Sequence, residues 1–281
     1  MKRILLFCAL LGLVAGCAGR REIGRYEGSE SDIRPVIQLG HSGAVQAVAI
    51  SADDRFAVSG SADGTLKFWD IATGRVIYTG YHHLNENPVS TSKGAALKDV
   101  YGNITLSPQV NFIDISANGD QLLSGASDGN VVVTDIQTGK IIRVYRQHSK
   151  GVNAGSFSKD ATLAVTGDAG GEIRLWQTAT GRTIRKFVIK FRSSQITALT
   201  LSPNGRLILA GDSEGIIRLI DPAAEHPIQI LGQHASSVSA AKFSADGGMA
   251  VSGSWDGSLK LWGINPRREF KSPNGHKGKV I

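Results

Sequence analysis

Two sets of residues in this chain have the types that a hydrolase would need: His41, Ser59 and Asp63, and again His234, Ser252 and Asp256. A serine hydroxyl activated by a histidine that a carboxylate orients is one solution to acyl transfer. Here the set occurs twice, and a tryptophan, Trp69 or Trp262, follows each copy at the same distance. Four polar positions repeated as a unit suit buried scaffolding better than one active site, and no catalytic residue is expected. His82, His83 and Glu86 could in principle hold a metal, but neighbouring histidines rarely face the same way. Ser90-Thr91-Ser92-Lys93 matches S-x-x-K without the S-D-N and K-T-G partners that give that motif its chemistry. There is no glycine-rich phosphate loop and no Cys or His cluster at metal spacing, so no cofactor or metal is expected.

What positions these residues is a repeat. The chain reads SADGTLKFWD from Ser61, ASDGNVVVTD from Ala126, DAGGEIRLWQ from Asp168, DSEGIIRLID from Asp212 and SWDGSLKLWG from Ser254. His41, His148 and His234 each precede Trp69, Trp176 and Trp262 by 28 residues. The same frame puts Leu106 before Thr134 and Arg192 before Ile220. Four residues after these five positions come Val45, Val110, Val152, Ile196 and Val238. The runs are short, β-branched or aromatic, and separated by Gly, Asp, Asn and Pro, which is how an all-β chain reads.

A period of 40–45 residues with a G-H opening and a W-D ending resembles the WD40 repeat, over roughly residues 33–281. The resemblance implies an all-β WD40-type β-propeller of five recognisable blades plus the start of a sixth at Asn274-Gly275-His276. In repeat one, strands are expected at about Gln46–Ile50, Phe56–Ser59, Thr65–Trp69 and Arg75–Tyr78. It further implies that the Asp, His, strand-b hydroxyl and indole N–H form a buried hydrogen-bond network. His41, Ser59, Asp63, Trp69 and His234, Ser252, Asp256, Trp262 make complete sets. Blade three keeps His148, Thr166 and Trp176 but has Gly170 in place of Asp. Blade two keeps Ser124 and Asp128 and lacks His and Trp, and blade four, with Arg192, Ala210, Glu214 and Ile220, retains none.

The resemblance places partner contacts on the face carrying the strand-a entrance and the b–c turns. Trp255, Gln46, Asn111, Asn153 and Thr197 are the candidates, with Trp255 the one aromatic anchor. Between Asp63 and Asp128 lie about 22 extra residues, an insertion expected within 80–103. Ile33–Leu39 looks like an outer strand without inner strands, so the ring is either incomplete through truncation, closed at five blades, or open. An open ring exposes strand edges that invite self-association.

Lys2 and Arg3, the apolar run Ile4–Val14 and small residues leading into Cys17 resemble a bacterial lipoprotein signal. This implies a signal peptide over 1–16, a lipid on Cys17, and a polar tether over 17–32. Ala18 after the cysteine suggests the outer membrane, periplasmic side, if the host has two membranes. The remaining chain holds no further cysteine, so no disulfide supports it. The net charge of +7 falls to +5 without the signal, too modest an excess to indicate nucleic acid. The reading is a lipid-anchored scaffold for protein partners in a cell envelope, without catalysis. Alternatives are the propeller portion of a larger enzyme, such as a caspase-like peptidase, truncated at Ile281, or an envelope assembly factor.

Overall fold

The computed structural model describes residues 40–83, 97–98, 104–105, 108–189, 194–265, 267–270, 276 and 278–280. Cys17, the tether and Ile33–Leu39 lie outside them. The described residues form five four-stranded antiparallel sheets and no helix. The first sheet holds β1 (Val45–Ile50), β2 (Phe56–Ser61), β3 (Leu66–Asp70) and β4 (Arg75–Gly80). A two-stranded hairpin follows, β5 (Leu97–Lys98) and β6 (Ile104–Thr105). The second sheet is β7 (Val110–Ile115), β8 (Gln121–Ala126), β9 (Val131–Asp135) and β10 (Ile141–Tyr145). The third is β11 (Val152–Phe157), β12 (Leu163–Asp168), β13 (Glu172–Gln177) and β14 (Thr183–Val188). The fourth is β15 (Ile196–Leu201), β16 (Ile208–Asp212), β17 (Ile216–Ile220) and β18 (Ile228–Gln233). The fifth is β19 (Val238–Phe243), β20 (Met249–Ser254), β21 (Leu259–Ile264) and β22 (Arg267–Phe270).

Each sheet is a meander, so strand order follows chain order and every connection within a blade is short. The turns are built by side chains competing for backbone groups. In the first a–b turn Ser51 Oγ donates to Asp53 Oδ1 (2.6 Å) and accepts from Phe56 N–H (3.0 Å). In the c–d turn Asp70 Oδ1 accepts from Thr73 N–H (2.7 Å) and Thr73 Oγ1–H (2.8 Å). Asx turns of this kind set strand register locally. Every innermost pair also carries one bulge at the same place, between Val45 and Ala47 in the first sheet and Val238 and Ala240 in the last. A bulge bends the strand and increases twist, which suits an innermost strand shared with the neighbouring blade.

The apolar core lies between sheets. One cluster joins Val58, Leu66 and Phe68 of blade one to Val110, Leu122 and Ile136 of blade two. The next runs from Phe112, Val131 and Tyr145 to Val152, Ala164 and Trp176. Two more span blades three to four and four to five. Among the described residues no sheet has an apolar core of its own, so a single blade could not bury its faces alone. The middle of the array is the driest part: all of β16 and β17 in blade four are buried. In β1, by contrast, Val48 is 45% and Ile50 41% exposed.

The positive-φ positions of the a–b turns are glycines in three blades, but Asp54 (φ 57°) and Ala161 (φ 56°) fill them in blades one and three. An L side chain in this region pays for its Cβ contact with the following carbonyl. Asp54→Gly, at an exposed site, should therefore raise stability by about 0.5 kcal/mol, read as a shift of the chemical-denaturation midpoint.

Candidate functional site

The serine, histidine and aspartate of the two complete sets are brought together with their tryptophans, and the geometry assigns a direction to each bond. In blade one Trp69 Nε1–H donates to Ser59 Oγ (2.8 Å), and Ser59 Oγ lies 2.7 Å from His41 Nε2. An indole N–H can only donate, but a hydroxyl oxygen has room for a second donor, so the direction of the Ser59–His41 bond is set from the other side of the ring. His41 Nδ1 lies 2.8 Å from Thr65 Oγ1 and 3.4 Å from Asp63 Oδ2. The Thr65 proton is committed to Asp63, so the neutral imidazole carries its proton on Nδ1 and accepts from Ser59 Oγ–H at Nε2. Thr65 Oγ1–H in turn donates to Asp63 Oδ1 (2.7 Å). Blade five repeats the chain with Trp262, Ser252, His234 and Ser258, at 2.9, 2.7 and 2.7 Å, ending on Asp256 (2.6 Å).

Thr65 and Ser258, two residues after each aspartate, are links that the sequence reading missed. The D-G-T and D-G-S steps were their signal. The arrangement does not suit acyl transfer. Its Ser–His bond is the one a hydrolase would use, but the serine hydroxyl is buried in both blades and its oxygen accepts from an indole. Burial opposes ionisation of Asp256, but the Ser258 hydroxyl and backbone N–H together with the Ala235 N–H hold its pKa down at about 2. Asp63 is likewise held far below the carboxylate range by His41, Thr65 and Ser42, against the opposing effect of burial.

Three blades differ from the sequence expectation. In blade two the register pointed to Leu106, which lies outside the described residues; the position is filled by His83, whose Nε2 is 2.9 Å from Ser124 Oγ. The extra chain enters between this histidine and β7, not before it, so a fixed 28-residue offset could not find it. Its neighbour His82 takes the other role: Nδ1 is 3.0 Å from Thr134 Oγ1, at the position a tryptophan holds elsewhere. Burial lowers both pKa values, His83 to about 3. Glu86, the third residue of the metal reading, lies outside the described residues.

Blade three does have its carboxylate. It comes from Asp168, two residues before Gly170, with Oδ2 at 3.0 Å from His148 Nδ1 while Thr166 Oγ1 is 2.8 Å from Nε2. Trp176 Nε1 has no partner among the described residues, and its ring stacks on Tyr145 at 4.6 Å. His148, Asp168 and Glu172 have ligand atoms within 4.8 Å of one another. Arg174 and Lys186 already pair with Glu172, and Gly170 and Glu172 N–H groups bind Asp168 at 2.9 Å, so this is a closed ion-pair network. Blade four replaces the network altogether. Asp212, at the position of Asp168, is fully buried and ion-paired with Arg218, itself 4% exposed. Neither residue was singled out, because both fall between the positions that the repeat defines.

Of the surface candidates, Trp255 is 50% exposed on the fifth b–c turn, with Lys279 Nζ 4.5 Å above its ring. Gln46 is exposed. Asn111, Asn153 and Thr197 are half-buried and engaged: Asn111 Nδ2 donates to Val152 O (3.0 Å) and Asn153 Oδ1 (3.2 Å), and Thr197 Oγ1 to Gly211 O (3.4 Å). At the opposite end of the inner strands a cavity of about 310 Å³ is lined by Asp114, Phe157, Leu201 and Lys242. There Asp114 Oδ2 accepts from Phe157 N–H (2.8 Å) and Ser156 Oγ from Leu201 N–H (3.0 Å), tying one inner strand to the next.

Five stacked four-stranded meanders, each pinned by a polar network at its inner end, define a repeat propeller. The chain belongs to the WD40 family: the family model described as WD domain, G-beta repeat matches residues 33–70, 98–135, 139–177, 184–221 and 225–263. It is similar to guanine nucleotide-binding protein subunit beta of Oryza sativa subsp. japonica, 26% identical over 83% of this chain and 60% of that protein. It is also similar to the serine-threonine kinase receptor-associated protein of Dictyostelium discoideum, 26% identical over 79% of this chain and 81% of that protein. The small ribosomal subunit protein RACK1y of rice is 26% identical over 80% of this chain and 76% of its own. The chain spans about 60% of the length of the subunit-beta relatives it matches.

Two outcomes follow. Arg218→Met should cost about 3–5 kcal/mol in a chemical melt, since Asp212 is left buried and unpaired. His83 has a folded pKa below its ordinary value near 6.5. Its contribution is therefore complete above pH 6.5 and is lost as the pH falls toward 3, at up to about 1.4 kcal/mol per pH unit. Denaturation midpoints between pH 6.5 and 4.5 should fall for the wild-type chain and be flatter for His83→Gln.

Proposed function

We propose that this chain is a non-catalytic WD40 scaffold for protein partners, held in a bacterial cell envelope by a lipid on Cys17. The observation that carries the scaffold is the half-exposed Trp255 on the b–c turn face, above blades whose polar residues are spent on each other. An exposed tryptophan at the edge of a rigid surface is the kind of anchor that dominates interface energetics. The serine-histidine pairs, which have the residue types of a hydrolase, are closed into the blades. The anchor rests on the charged start, the short apolar run and the residues leading into Cys17. The relatives' names, a receptor-associated protein and subunits of larger assemblies, accord with a protein that works by binding.

The two halves are tested separately. A photo-crosslinking residue at position 255 should yield a discrete higher-mass adduct in the expressing cell, and one at Asp246, on the opposite face, should not. Equal adducts at both positions, or none at 255, would refute the binding face. For the anchor, metabolic labelling with an alkyne fatty acid should mark the wild-type chain and leave Cys17→Ala unmarked. Labelling of neither chain would contradict the lipid.

A further inference from the structure

We infer that the cavity where the a–b turns of blades two to five converge binds a small zwitterion of dipeptide size, with its ammonium at Asp114 and its carboxylate at Lys242. The inference rests on the fold and not on the scaffold reading above.

One position of the repeat builds the site. The fifth residue of strand a in blades two to five is Asp114, Ser156, Thr200 and Lys242. All four line the cavity of about 310 Å³, and Ala117, Ser158, Ser202 and Ala245 of the four turns complete its wall. That volume lies at the small end of the range for ligand sites. Lys159, the remaining charge of the lining, sits exposed on the blade-three turn.

Along this ring each side chain is at first spent on the next blade. Asp114 Oδ2 accepts from Phe157 N–H (2.8 Å), and Ser156 Oγ accepts from Leu201 N–H (3.0 Å). The next joint breaks the series. Thr200 Oγ1–H turns to Leu201 O (3.4 Å), so Phe243 N–H, the equivalent of Phe157 N–H and Leu201 N–H, receives no such acceptor. The blade-five side of the cavity thus offers two donors, Lys242 and Phe243 N–H. The blade-two side offers a carboxylate. Burial pushes the Asp114 carboxyl above its usual range; Phe157 N–H and then Lys242 oppose this, Lys242 without coming into ion-pair contact.

The two charges therefore face each other over a gap that neither closes, with β11 and β15 between their strands. A partly buried charge is satisfied by direct, hydrogen-bonded pairing. A molecule with only a carboxylate would leave Asp114 uncompensated, and one with only an ammonium would leave Lys242 so. A free α-amino acid holds its charges side by side, too close to span two strands. A peptide unit between ammonium and carboxylate reaches both ends, and its own polar groups meet the hydroxyls of Ser156 and Thr200.

The test is an amide NMR titration of the full chain in mild detergent, with thermal melts to check folding. The probes are diglycine, N-acetyldiglycine, which lacks the ammonium, and diglycinamide, which lacks the carboxylate. Wild type should bind diglycine saturably, with a Kd on the order of a millimolar and a shift of the Phe243 amide. Each blocked form should bind about tenfold more weakly or worse, as for a lost charge-assisted hydrogen bond. Asp114→Asn keeps an acceptor for Phe157 N–H and loses the charge, so it should bind diglycine and N-acetyldiglycine alike. Lys242→Met, at an exposed residue, should bind diglycine and diglycinamide alike, and it decides the carboxylate half even if Asp114→Asn fails to fold. No saturable binding of diglycine to folded wild type, or equal binding of the three probes, would overturn the proposal. So would folded variants that keep both preferences, or that weaken all three probes uniformly.

Discussion

The structure depends on a serine or threonine hydroxyl in the second strand of a blade that is short of water and must satisfy its neighbours. Ser59, Ser124, Thr166 and Ser252 are all buried beside an imidazole. A buried polar group left unpaired costs more than a made hydrogen bond returns, so the partners of this hydroxyl are fixed wherever it occurs. In blades one and five the hydroxyl accepts from an indole and gives its proton to histidine, whose Nδ1–H grips the b–c turn through Thr65 or Ser258. The turn aspartate, held ionised by several donors, ties the blade's own loop to the segment that enters it. One hydroxyl thereby joins strand b, strand c and the chain arriving from the previous blade.

Blades differ in how they meet this demand and in how dry they are. Blade four has neither histidine nor tryptophan in place, yet its β16 and β17 are wholly buried, and it satisfies its interior with the Asp212–Arg218 pair. Such a pair in low dielectric holds only while both members are present. Blade two has lost its tryptophan and uses His82 and Thr134 instead. Loss of the consensus residue is thus not loss of the network but exchange of its members. The apolar clusters lie between blades, so an altered network affects stability only as far as its neighbours stop covering it.

The repeat frame was legible because it is set by local chemistry. Short β-branched or aromatic runs between Gly, Asp, Asn and Pro marked the strands, and the four expected in the first repeat lie within two residues of the observed ones at every end. The resemblance to WD40 repeats supplied the pairing of His41 with Ser59 and of His234 with Ser252, which spacing alone offered equally to a hydrolase. What was not legible was substitution out of register. His83 stands far from β7 in sequence, and Asp168 sits two places before the position where a carboxylate was sought. Arg218 reads as a routine strand cation until its burial is known. Asn111, Asn153 and Thr197 looked like surface because short polar residues near an edge usually are, yet Asn111 and Thr197 donate across or within blades, and Asn153 accepts.

The central claim is that the group facing Nδ1 dictates which nitrogen of the blade histidine carries the proton. In blades one and five Nδ1 faces a hydroxyl, Thr65 or Ser258, whose own proton goes to the turn aspartate, which places the proton on Nδ1 of His41 and His234. In blade two His83 Nδ1 has no partner among the described residues, Ser124 Oγ–H is 3.5 Å from Val132 O, and His83 donates to Ser124 from Nε2. Long-range proton–nitrogen NMR of selectively labelled histidines at neutral pH measures this directly. The account predicts the Nδ1–H tautomer for His41 and His234 and the Nε2–H tautomer for His83. A common tautomer for all three would contradict it.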